Sequence, residues 1–568
     1  MDRVVRIGGG SAFFIDSAIA VPQLLQAGVD YILLDYLAEG AMGLFGRARL
    51  ADPAAGYPSD LLDVHVGPFL KEIAAGGTRI VTNAGGVNPE GLVVALRARI
   101  AALGLSLKVA CVAGDDLLGR LDQLANQADM FTGAPFPASG VTSCNAYLGA
   151  FPIAEALHRG ANIVVTGRVV DSALALGPLI HEFGWQRGEW DRLAGGTLAG
   201  HLIECGAQVT GGTFTDWREV EGWATIGAPI AECHADGTCI ITKPQASGGM
   251  VSKGTVAEQL LYETSDPQCY FVPDVTCDWS GVSLEETGPN RVRVSGARGY
   301  PPPETLKACV TWDDGWRATV WQPVIGPAAR EKAEKQAAAL FERSRLMLRG
   351  RNLADWRRTE AVLAGGGEEV LLKLVVEHDE MVPAQMFLRE QFAAISAMAP
   401  GTSVAFAPMV QPMMNLLSLA VPRDLAPPLL DGEMLEDGHP AWFDPAMIER
   451  PPSPALPVPG QTFASLESLA WARSGEKGET INVGVIARHS KNLPALRAAL
   501  TLEALREWLP DLGPFELTVY DLPGFDAINL VLQGALPGGL NASQRLDPAA
   551  KSIAQRLMEF PVRLPQRL

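Results

Sequence analysis

The sequence lacks the patterns that mark several common functional classes. None of its eight cysteines stands in C-x-x-C spacing, so a structural zinc site is not expected. No apolar run reaches about 18 residues, which argues against a membrane-spanning helix. The first residues have neither the basic segment and long apolar core of a signal peptide nor an amphipathic transit pattern. We therefore expect a cytoplasmic protein with reduced thiols.

Positive charge is scarce as well. The 568 residues include 46 Lys and Arg but 64 Asp and Glu, which gives a formal net charge of −18. Nucleic acids and anionic membranes bind basic surfaces, so neither is an expected partner. A small anionic ligand remains open, because two or three local cations suffice to bind one. The length predicts two to four domains. A hydrophobic content of 48% fits a buried interface, so we expect a homo-oligomer and leave a partner subunit open.

Complete nucleotide-binding motifs are absent too. Gly8 to Gly10 follow the first strand candidate, but Phe13 occupies the position of the third glycine of G-x-G-x-x-G, and no Walker A lysine pattern occurs. We therefore expect neither a nicotinamide cofactor nor another tightly bound cofactor, and CoA only as part of a substrate. The run still opens toward a helix beginning near Asp16, so the amides of Gly9 and Gly10 are candidate donors to a substrate phosphate or carboxylate.

Short apolar runs alternate with amphipathic stretches over the first ~185 residues, which is typical of βα units. The predicted strands are Arg3 to Ile7, Tyr31 to Asp35, Arg79 to Asn83, Leu107 to Val112 and Asn162 to Thr166. The sequence therefore predicts an α/β fold with a mostly parallel sheet and flanking helices. From about residue 212 the pattern changes to mixed α+β.

Polar and glycine residues follow these strands. In parallel α/β folds the strand ends meet at one edge, where ligands bind. The candidate binding residues there are Asn83, Gly85, Gly86, Asn88, Asp115, Asp116 and Arg168, with Asp35 as a candidate catalytic acid or base. Glycine after a strand is also common in ordinary turns. For any one loop, the alternative is therefore a turn without a binding role. Several such loops at one edge favour a shared site.

The stretch from His201 to Trp217 interrupts every apolar register with polar groups, so it is a poor core element. Its candidate catalytic residues are Glu204, Cys205 and Asp216, and its candidate amide donors to a ligand are Gly211 and Gly212. In the alternative interpretation the stretch is a tight turn, in which Glu204 caps a helix and Cys205 packs as a small hydrophobe.

The middle of the chain predicts two strands about Asp236-Gly237, followed by a cationic glycine-rich loop. In this loop Lys243, Gly248 and Gly249 are candidate binders of an anion. Further predicted elements are a helix from Cys144 through Leu157, a hairpin across Asp313 to Gly315, and helices at Ala328 to Leu348 and Met381 to Met398.

Glu449 to Gly460 carries five prolines and is the clearest linker. It predicts a core domain over residues 1–450, a linker over 451–460 and a small domain over 461–568. The small domain's order of two strands, a helix, two strands, a helix and a last strand indicates a ferredoxin-like α+β sandwich. Its cations Arg473, Lys477 and Arg488 face either a ligand or the larger domain, and the first two are candidate substrate-binding residues.

Several segments, in order, resemble the acyclic terpene utilisation AtuA family. They are IVTNAGGVNP from Ile80, VAGDDLL from Val112, TGRVVDSAL from Thr166, HLIECGAQVTGGTFTDW from His201 and ITKPQASGGMVS from Ile241. WARSGEKGETINVGVIAR from Trp471 is similar to the family's small ferredoxin-like domain. The chain departs from the family pattern at Glu476, where aspartate is usual, and in its first loop, which has no cysteine. The resemblance implies the two-domain fold and a link to catabolism of branched terpenoid acids as CoA thioesters.

The resemblance and the residues together favour an enzyme that acts on a branched or terpenoid-derived acyl-CoA, as a hydratase or a carbon–carbon lyase. Glu204 and Asp35 would be its acid and base, and glycine amides would bind the enolate oxygen of the thioester. Lys243 or Arg168 would bind anionic groups of the substrate.

Two alternatives concern the chemistry of this site. Cys205 is a candidate nucleophile with His201 as its base. The alternative is that Cys205 is a packed and inert thiol. Mg²⁺ would find oxygen ligands in Asp35, Glu39, Asp115 and Asp116. No metal is the preferred interpretation, because the two adjacent aspartates also suit the cap of the following helix.

An alternative of another class is a noncatalytic subunit that binds an acyl-CoA, or scaffolds a multi-enzyme catabolic complex, with the small domain as the docking module. Carboxylates clustered at strand ends favour catalysis, because a mere binder gains nothing from burying several of them together.

Overall fold

The computed structural model describes residues 3–403 and 406–566. Its strands are β1 (Val5–Gly9), β2 (Tyr31–Leu34), β3 (Arg79–Thr82), β4 (Val109–Ala113), β5 (Val141–Ala146), β6 (Ile163–Thr166), β7 (Ile230–Cys233), β8 (Cys239–Thr242), β9 (Tyr270–Val272), β10 (Val275–Asp278), β11 (Ser283–Gly288), β12 (Arg291–Ser295), β13 (Arg298–Tyr300), β14 (Thr305–Ile325), β15 (Arg358–Gly366), β16 (Glu369–His378), β17 (Phe406–Pro422), β18 (Leu429–Leu430), β19 (Glu433–Met434), β20 (Pro459–Ser465), β21 (Ala470–Lys477), β22 (Thr480–Ala487), β23 (Glu516–Leu522), β24 (Ala527–Gln533) and β25 (Pro561–Pro565).

The α-helices in the same described residues alternate with these strands over the first half of the chain. They are α1 (Ala20–Ala27), α2 (Glu39–Ala51), α3 (Leu70–Gly76), α4 (Pro89–Ala102), α5 (Leu121–Leu124), α6 (Phe151–His158), α7 (Ala173–Phe183), α8 (Trp190–Glu204), α9 (Lys253–Leu261), α10 (Ala329–Gly350), α11 (Met381–Glu390), α12 (Ala394–Ala397), α13 (Leu466–Leu469), α14 (Leu493–Ala499), α15 (Leu502–Trp508), α16 (Gly539–Ala542) and α17 (Ile553–Arg556).

The large sheet has a parallel centre with antiparallel edges. Strands β1, β2, β3, β6 and β4 lie side by side in that order and run parallel, which confirms the predicted α/β class. Their bounds agree with the predicted strands to within two residues. The central strands are buried on both faces, because helices cover both sides of the sheet and pack two separate apolar clusters there. Antiparallel strands extend the sheet beyond β1 and beyond β4.

Two predicted elements are wrong. The segment that begins at Cys144 is not helical, because Val141–Ala146 forms strand β5 against β14, and helix α6 begins only at Phe151. The hairpin predicted across Asp313 to Gly315 is a bulge inside the continuous strand β14. Trp312 and Trp316, on either side of it, pair with Asn415 and Pro412 of the same neighbour, β17. A turn sequence can interrupt a ladder without reversing the chain.

A second sheet and two helices follow the first half. Strands β15, β16, β14 and β17 form an antiparallel sheet that packs against helices α10 and α11. Helix α10 lies close to its predicted bounds. The helix predicted from Met381 to Met398 is divided into α11, a short 3-10 turn and α12.

The small domain forms an antiparallel sheet in the order β21-β22-β24-β23, with its own apolar core. The predicted hairpin pairs are present, and the predicted helix from Leu493 to Trp508 is divided into α14 and α15. Its sheet packs against α9 of the large domain. A methyl group on Gly484 would collide with Leu261, and the Asn529 amide donates to the Thr264 carbonyl at 2.7 Å. Because the small domain docks in this way, the turn after Lys477 lies at the edge of the parallel sheet.

Candidate active site

The carboxyl ends of the parallel strands bring four of the predicted residues together. Asp35 follows β2, Asn83 follows β3, Asp115 comes after β4 and Arg168 after β6, and all four are buried. The Asn83 amide donates to the Asp35 carboxyl at 2.7 Å. Asp115 accepts hydrogen bonds from the Arg168 backbone amide at 2.8 Å and from the Asn145 amide at 2.7 Å. These bonds fix the loops of neighbouring strands to one another.

Arg168 provides the buried positive charge of this edge. Its guanidinium pairs with Asp171 at 2.9 Å, donates to the Leu37 carbonyl and lies 4.1 Å from the centroid of the Tyr147 ring. Its Nε atom is buried without a hydrogen-bond partner among the described residues. The charge of Arg168 also acts on the Asp35 carboxyl.

Asp35 and Glu204 are two buried acids of this edge, and no lysine or arginine side chain of the described residues is in direct contact with either carboxyl. Burial and the charge of Asp171 raise the pKa of Asp35 well above its usual value. Glu204 ends helix α8, and burial raises its pKa although His201 lies 3.2 Å from its Oε1 atom. Glu204 Oε2 is buried and has no hydrogen-bond partner in the described chain. Such carboxyls exchange protons closer to neutral pH than exposed ones do.

A second layer of the site joins the two domains. Glu39 accepts hydrogen bonds from the Tyr147 hydroxyl at 2.9 Å and from Lys307 at 3.1 Å. Lys477 of the small domain lies 3.0 Å from Glu263 and 4.0 Å from Glu39. Burial acts to raise the pKa of Glu39, but Lys477 and Lys307 hold it well below its usual range. The Lys477 side chain is 39% exposed, so solvent screens its ion pairs in part.

Several residues of this cluster were not identified from the sequence. They are Tyr147, Asp171, Glu263, Tyr270, Lys307, Glu476 and Lys551. The resemblance names Glu476 only as a departure from the family pattern. Burial and the neighbouring Glu263 raise the pKa of Glu476 to about 8. Glu476, near the end of strand β21, is marked in the sequence by its departure from the family pattern, and Asp171 by its position after the fifth predicted strand.

The glycine-rich loops do not offer free amides. The amides at the candidate positions donate to main-chain carbonyls instead: Gly9 to Pro229, Gly10 to Leu33, Gly85 to Thr166, Gly86 to Asn83, Gly211 to Gln208, Gly212 to Ala207, Gly248 to Thr225 and Gly249 to Glu221. A methyl group on Gly9 would collide with the Ile203 carbonyl, and one on Gly85 with the Thr166 carbonyl. These glycines allow close packing of chain segments, and their amides already have main-chain acceptors in this structure, so a role for them in binding an anion or an enolate oxygen stays a prediction.

Other predicted binding residues have local structural partners. Lys243 donates to the Ser247 carbonyl at 2.7 Å and so closes its own loop. Asn88 caps helix α4 by accepting from the Gly91 amide at 3.0 Å. Asp116 accepts from the Leu118 amide and pairs with Arg49, whereas the buried Asp115 accepts from Arg168 and Asn145. The two adjacent aspartates therefore do not form one oxygen cage, and within residues 3–403 and 406–566 no three His, Cys, Asp or Glu side chains are grouped to hold a metal.

Asp216 and Arg473 lie at the interface between the domains. Asp216 accepts from Arg488 at 2.6 Å and from the Trp471 indole at 2.7 Å. Burial acts to raise the pKa of Asp216, but these two hydrogen bonds lower it below its usual value. Arg473 donates to Thr213 of the large domain and lies 4.8 Å from the Tyr262 ring centroid. Both residues hold the small domain in place.

Cys205 lies next to Glu204 at the end of α8. Burial and the negative charge of Glu204 raise the pKa of its thiol well above the usual value. His201 directs its ring nitrogens to Glu204 and to the Leu260 carbonyl. The neutral thiol is therefore the form that this environment favours, which is the inert alternative for this cysteine.

The fold and the site together define a two-domain α/β protein, in which a small α+β domain closes a cluster of buried acids and bases at the carboxyl edge of a parallel sheet. The chain belongs to the acyclic terpene utilisation family AtuA, whose model matches residues 5–429. The AtuA ferredoxin-like domain matches residues 464–563. No helix of the described ranges is long and apolar enough to cross a membrane.

Comparison with other proteins adds little to this assignment. No curated protein matches the chain. A heme-binding protein from Thermus thermophilus is 14% identical, covering 42% of this chain and 83% of its own, with a TM-score of 0.14. Aspartokinase III from E. coli, in complex with aspartate and ADP, is 9% identical, covering 97% of both chains, with a TM-score of 0.20. Likeness at these scores carries no argument about fold or function.

Proposed function

We propose that this protein is an enzyme of acyclic terpenoid catabolism that acts on a branched acyl-CoA by proton transfer, as a hydratase or a carbon–carbon lyase. The family supports the metabolic role. The observation that carries the chemistry is the pair of buried carboxyls, Asp35 and Glu204, whose pKa values are raised and which have no lysine or arginine of the described residues in direct contact. Carboxyls of this kind serve as general acids and bases near neutral pH.

Hydration of an unsaturated thioester and cleavage beside a carbonyl both pass through an enolate-like anion. A positive charge near the thioester oxygen would stabilise this anion. In this chain side chains rather than glycine amides supply that charge. Arg168 lies at the carboxyl edge of the sheet, and Lys477 reaches the site from the small domain. The negative charges of Glu39 and Asp171 offset these two positive charges.

The CoA part of the substrate would enter where the two domains meet. Lys477 and Lys551 keep 39% and 43% of their side chains exposed there, and both pair with Glu263. Burial lowers the pKa of Lys551 to about 8. A CoA phosphate at this entrance would compete with Glu263 for the side chains of Lys477 and Lys551. Such competition suits a substrate that must bind and then dissociate.

The proposal is tested by native mass spectrometry of the full chain with a panel of branched acyl-CoA thioesters, followed by turnover assays with any that bind. We expect the wild type to retain a thioester and convert it. Glu204→Gln should bind the same thioester and lose turnover. The matched control is Glu258→Gln, because Glu258 is also a buried carboxyl with its pKa raised to about 8 but accepts from the Thr215 amide outside the cluster.

Two outcomes would contradict the proposal. If the chain binds no acyl-CoA but forms a stable complex with another protein, the noncatalytic scaffolding role replaces it. If Glu204→Gln and Glu258→Gln both keep full turnover, the chemistry does not take place at this cluster. The same spectra give the oligomeric state, which stays a prediction.

A further inference from the structure

We propose that His201 and Glu204 share one proton, and that His201 is the positioning residue that stores this proton behind the Glu204 carboxyl. The catalytic consequence rests on the proposed function, whereas the shared proton itself does not. His201 is buried in the middle of the last turns of α8, three residues before Glu204. The pattern of acceptors around its ring decides where its hydrogens lie.

The Nε2 atom of His201 must carry a hydrogen. It lies 3.2 Å from the Leu260 carbonyl oxygen, and a carbonyl oxygen can only accept. With Nε2 protonated, a neutral imidazole has a lone pair on Nδ1, which lies 3.2 Å from Glu204 Oε1. A neutral ring then requires a protonated Glu204 as donor, and a charged ring requires an ionised Glu204 as acceptor. In both states one proton lies between the two residues.

Packing prevents the ring from leaving this geometry. The imidazole lies 5.0 Å from the Trp279 ring centroid at an interplanar angle of 29°. Tyr270 stacks on Trp279 with ring centroids 4.2 Å apart, and its centroid lies 5.5 Å from that of the imidazole. The Gln259 amide donates to the His201 carbonyl at 3.2 Å and so ties α8 to α9. A ring flip would bring a carbon atom to the Leu260 carbonyl, which would lose the His201 donor and keep only the Thr264 hydroxyl at 2.9 Å.

The second carboxyl oxygen of Glu204 is the atom through which the His201–Glu204 pair can contact a substrate. Oε2 is buried, and no group of the described residues donates to it. Leaving such an acceptor unpaired costs about 1–3 kcal/mol, which a ligand hydrogen would recover. The titratable and charged groups whose fields reach Glu204 or its thiol neighbour come from several elements: His201, Cys205, Asp35, Asp171, Glu263, Tyr270 and Lys477.

The proton balance of the resulting step is simple. Oε2 accepts a proton from a carbon of the acyl group, and the electron pair of that C–H bond becomes the enolate. At the same time the proton on Oε1 moves to Nδ1 of His201, so the carboxyl never holds two protons. His201 becomes an imidazolium, and the Leu260 carbonyl and the Trp279 ring face its positive charge. The reverse movement returns a proton to the product.

Nitrogen-15 NMR of the full chain labelled at histidine tests the shared proton without any substrate. His378 is the internal reference, because its Nε2 lies 3.2 Å from the Ala354 carbonyl while its Nδ1 accepts from the Glu380 backbone amide at 2.9 Å. We expect both rings to carry the Nε2 hydrogen, and only His201 to show an Nδ1 signal moved toward the protonated form. The signals are assigned by their loss in His201→Gln and His378→Gln. Identical Nδ1 signals would overturn the proposal.

Two substitutions at one position separate storage of a proton from packing. Asparagine places its amide near the position of Nδ1, and glutamine near that of Nε2. His201→Gln should therefore keep the Leu260 bond, lose the proton partner of Glu204, and lower kcat by about 100-fold with little change in KM. His201→Asn restores a hydrogen bond to Glu204 but cannot take up its proton, so kcat should stay low and the acid limb of the pH–rate profile should move.

The outcomes keep the inference apart from the proposed function. His378→Gln should leave kcat and the pH profile unchanged. Unchanged kcat and pH profile in both His201 variants would overturn the catalytic role of the pair. A chain that converts no acyl-CoA but shows the shifted His201 signal would contradict the proposed function and support the shared proton.

Discussion

Glu204 and Asp216 lie twelve positions apart in one polar stretch of the sequence, yet they belong to different parts of the protein. Glu204 ends a buried helix at the edge of the parallel sheet, with a histidine at one carboxyl oxygen and no donor from the described residues at the other. Asp216 lies between the domains and accepts from Arg488 and Trp471. Burial acts to raise the pKa of both acids, more strongly for the fully buried Glu204, and the pKa of Glu204 is raised whereas that of Asp216 is lowered by its partners.

The difference shows that the partner decides what a buried acid does. Arg488 keeps Asp216 ionised, so this acid cannot exchange protons near neutral pH and serves as a clamp between domains. His201 stabilises either protonation state of Glu204, because it can donate to a carboxylate or accept from a carboxyl. A stretch chosen from its polarity alone therefore contains one acid suited to catalysis and one suited to docking.

The largest expected effect is on turnover. Glu204→Gln keeps the size of the side chain and removes the exchangeable proton, so kcat should fall by about 10²–10⁴-fold. Asp216→Asn keeps an oxygen for Trp471 and should change kcat by less than about 10-fold. Steady-state kinetics on the thioester that the wild type binds would measure both values. Equal losses in the two variants would break the distinction between them.

The sequence predicts the edge of the sheet well, because that prediction depends on local patterns. Buried strands bounded by polar and glycine residues are visible in the order of residues, and the rule for parallel sheets places Asp35, Asn83, Asp115 and Arg168 together. The contact between Lys477 and Glu263 spans 214 positions and depends on how the small domain docks. No local pattern contains that information.

The role of the glycine loops is hard to predict from the sequence for a different reason. A free amide cradle and a close contact between chain segments both require a residue without a side chain. Gly85 is needed because the Thr166 carbonyl lies against it, and the same contact uses its amide. Sequence alone does not distinguish the two cases for Gly85, because the carbonyl that accepts from its amide comes from a distant strand.

The next effect in size is on the stability of the domain contact. Asp216→Ala leaves the partly buried Arg488 guanidinium without its carboxylate, with only the Glu467 carbonyl still accepting from its Nε at 2.9 Å, and we expect the free energy of unfolding to fall by about 1–3 kcal/mol. Arg488→Ala should cost a similar amount, and the double variant less than the sum of the two. Chemical denaturation of the full chain measures these values. Additive losses would show that the pair is not coupled.

A smaller effect separates the two acids by pH. The folded-state pKa of Asp216 is depressed, so its stabilising contribution is complete above the unfolded value of about 3.9 and is lost as the pH falls through the folded value. The difference in unfolding free energy between wild type and Asp216→Asn should therefore be constant from pH 7 to about 5 and shrink below about 4. A difference that instead grew as the pH fell would contradict the assigned direction.

Glu204→Gln should show the opposite pH dependence and the smallest effect. The folded-state pKa of Glu204 is raised, so below the unfolded value of about 4.3 the acid is protonated in both states and no penalty exists. As the pH rises above that value the unfolded chain loses its proton first, and the folded state becomes relatively less stable. Glutamine cannot ionise, so this variant should gain stability over the wild type as the pH rises from about 4 toward neutral, measured by denaturation at each pH. A gain in stability accompanied by a loss of turnover would mark Glu204 as an acid whose placement serves chemistry at the expense of the fold.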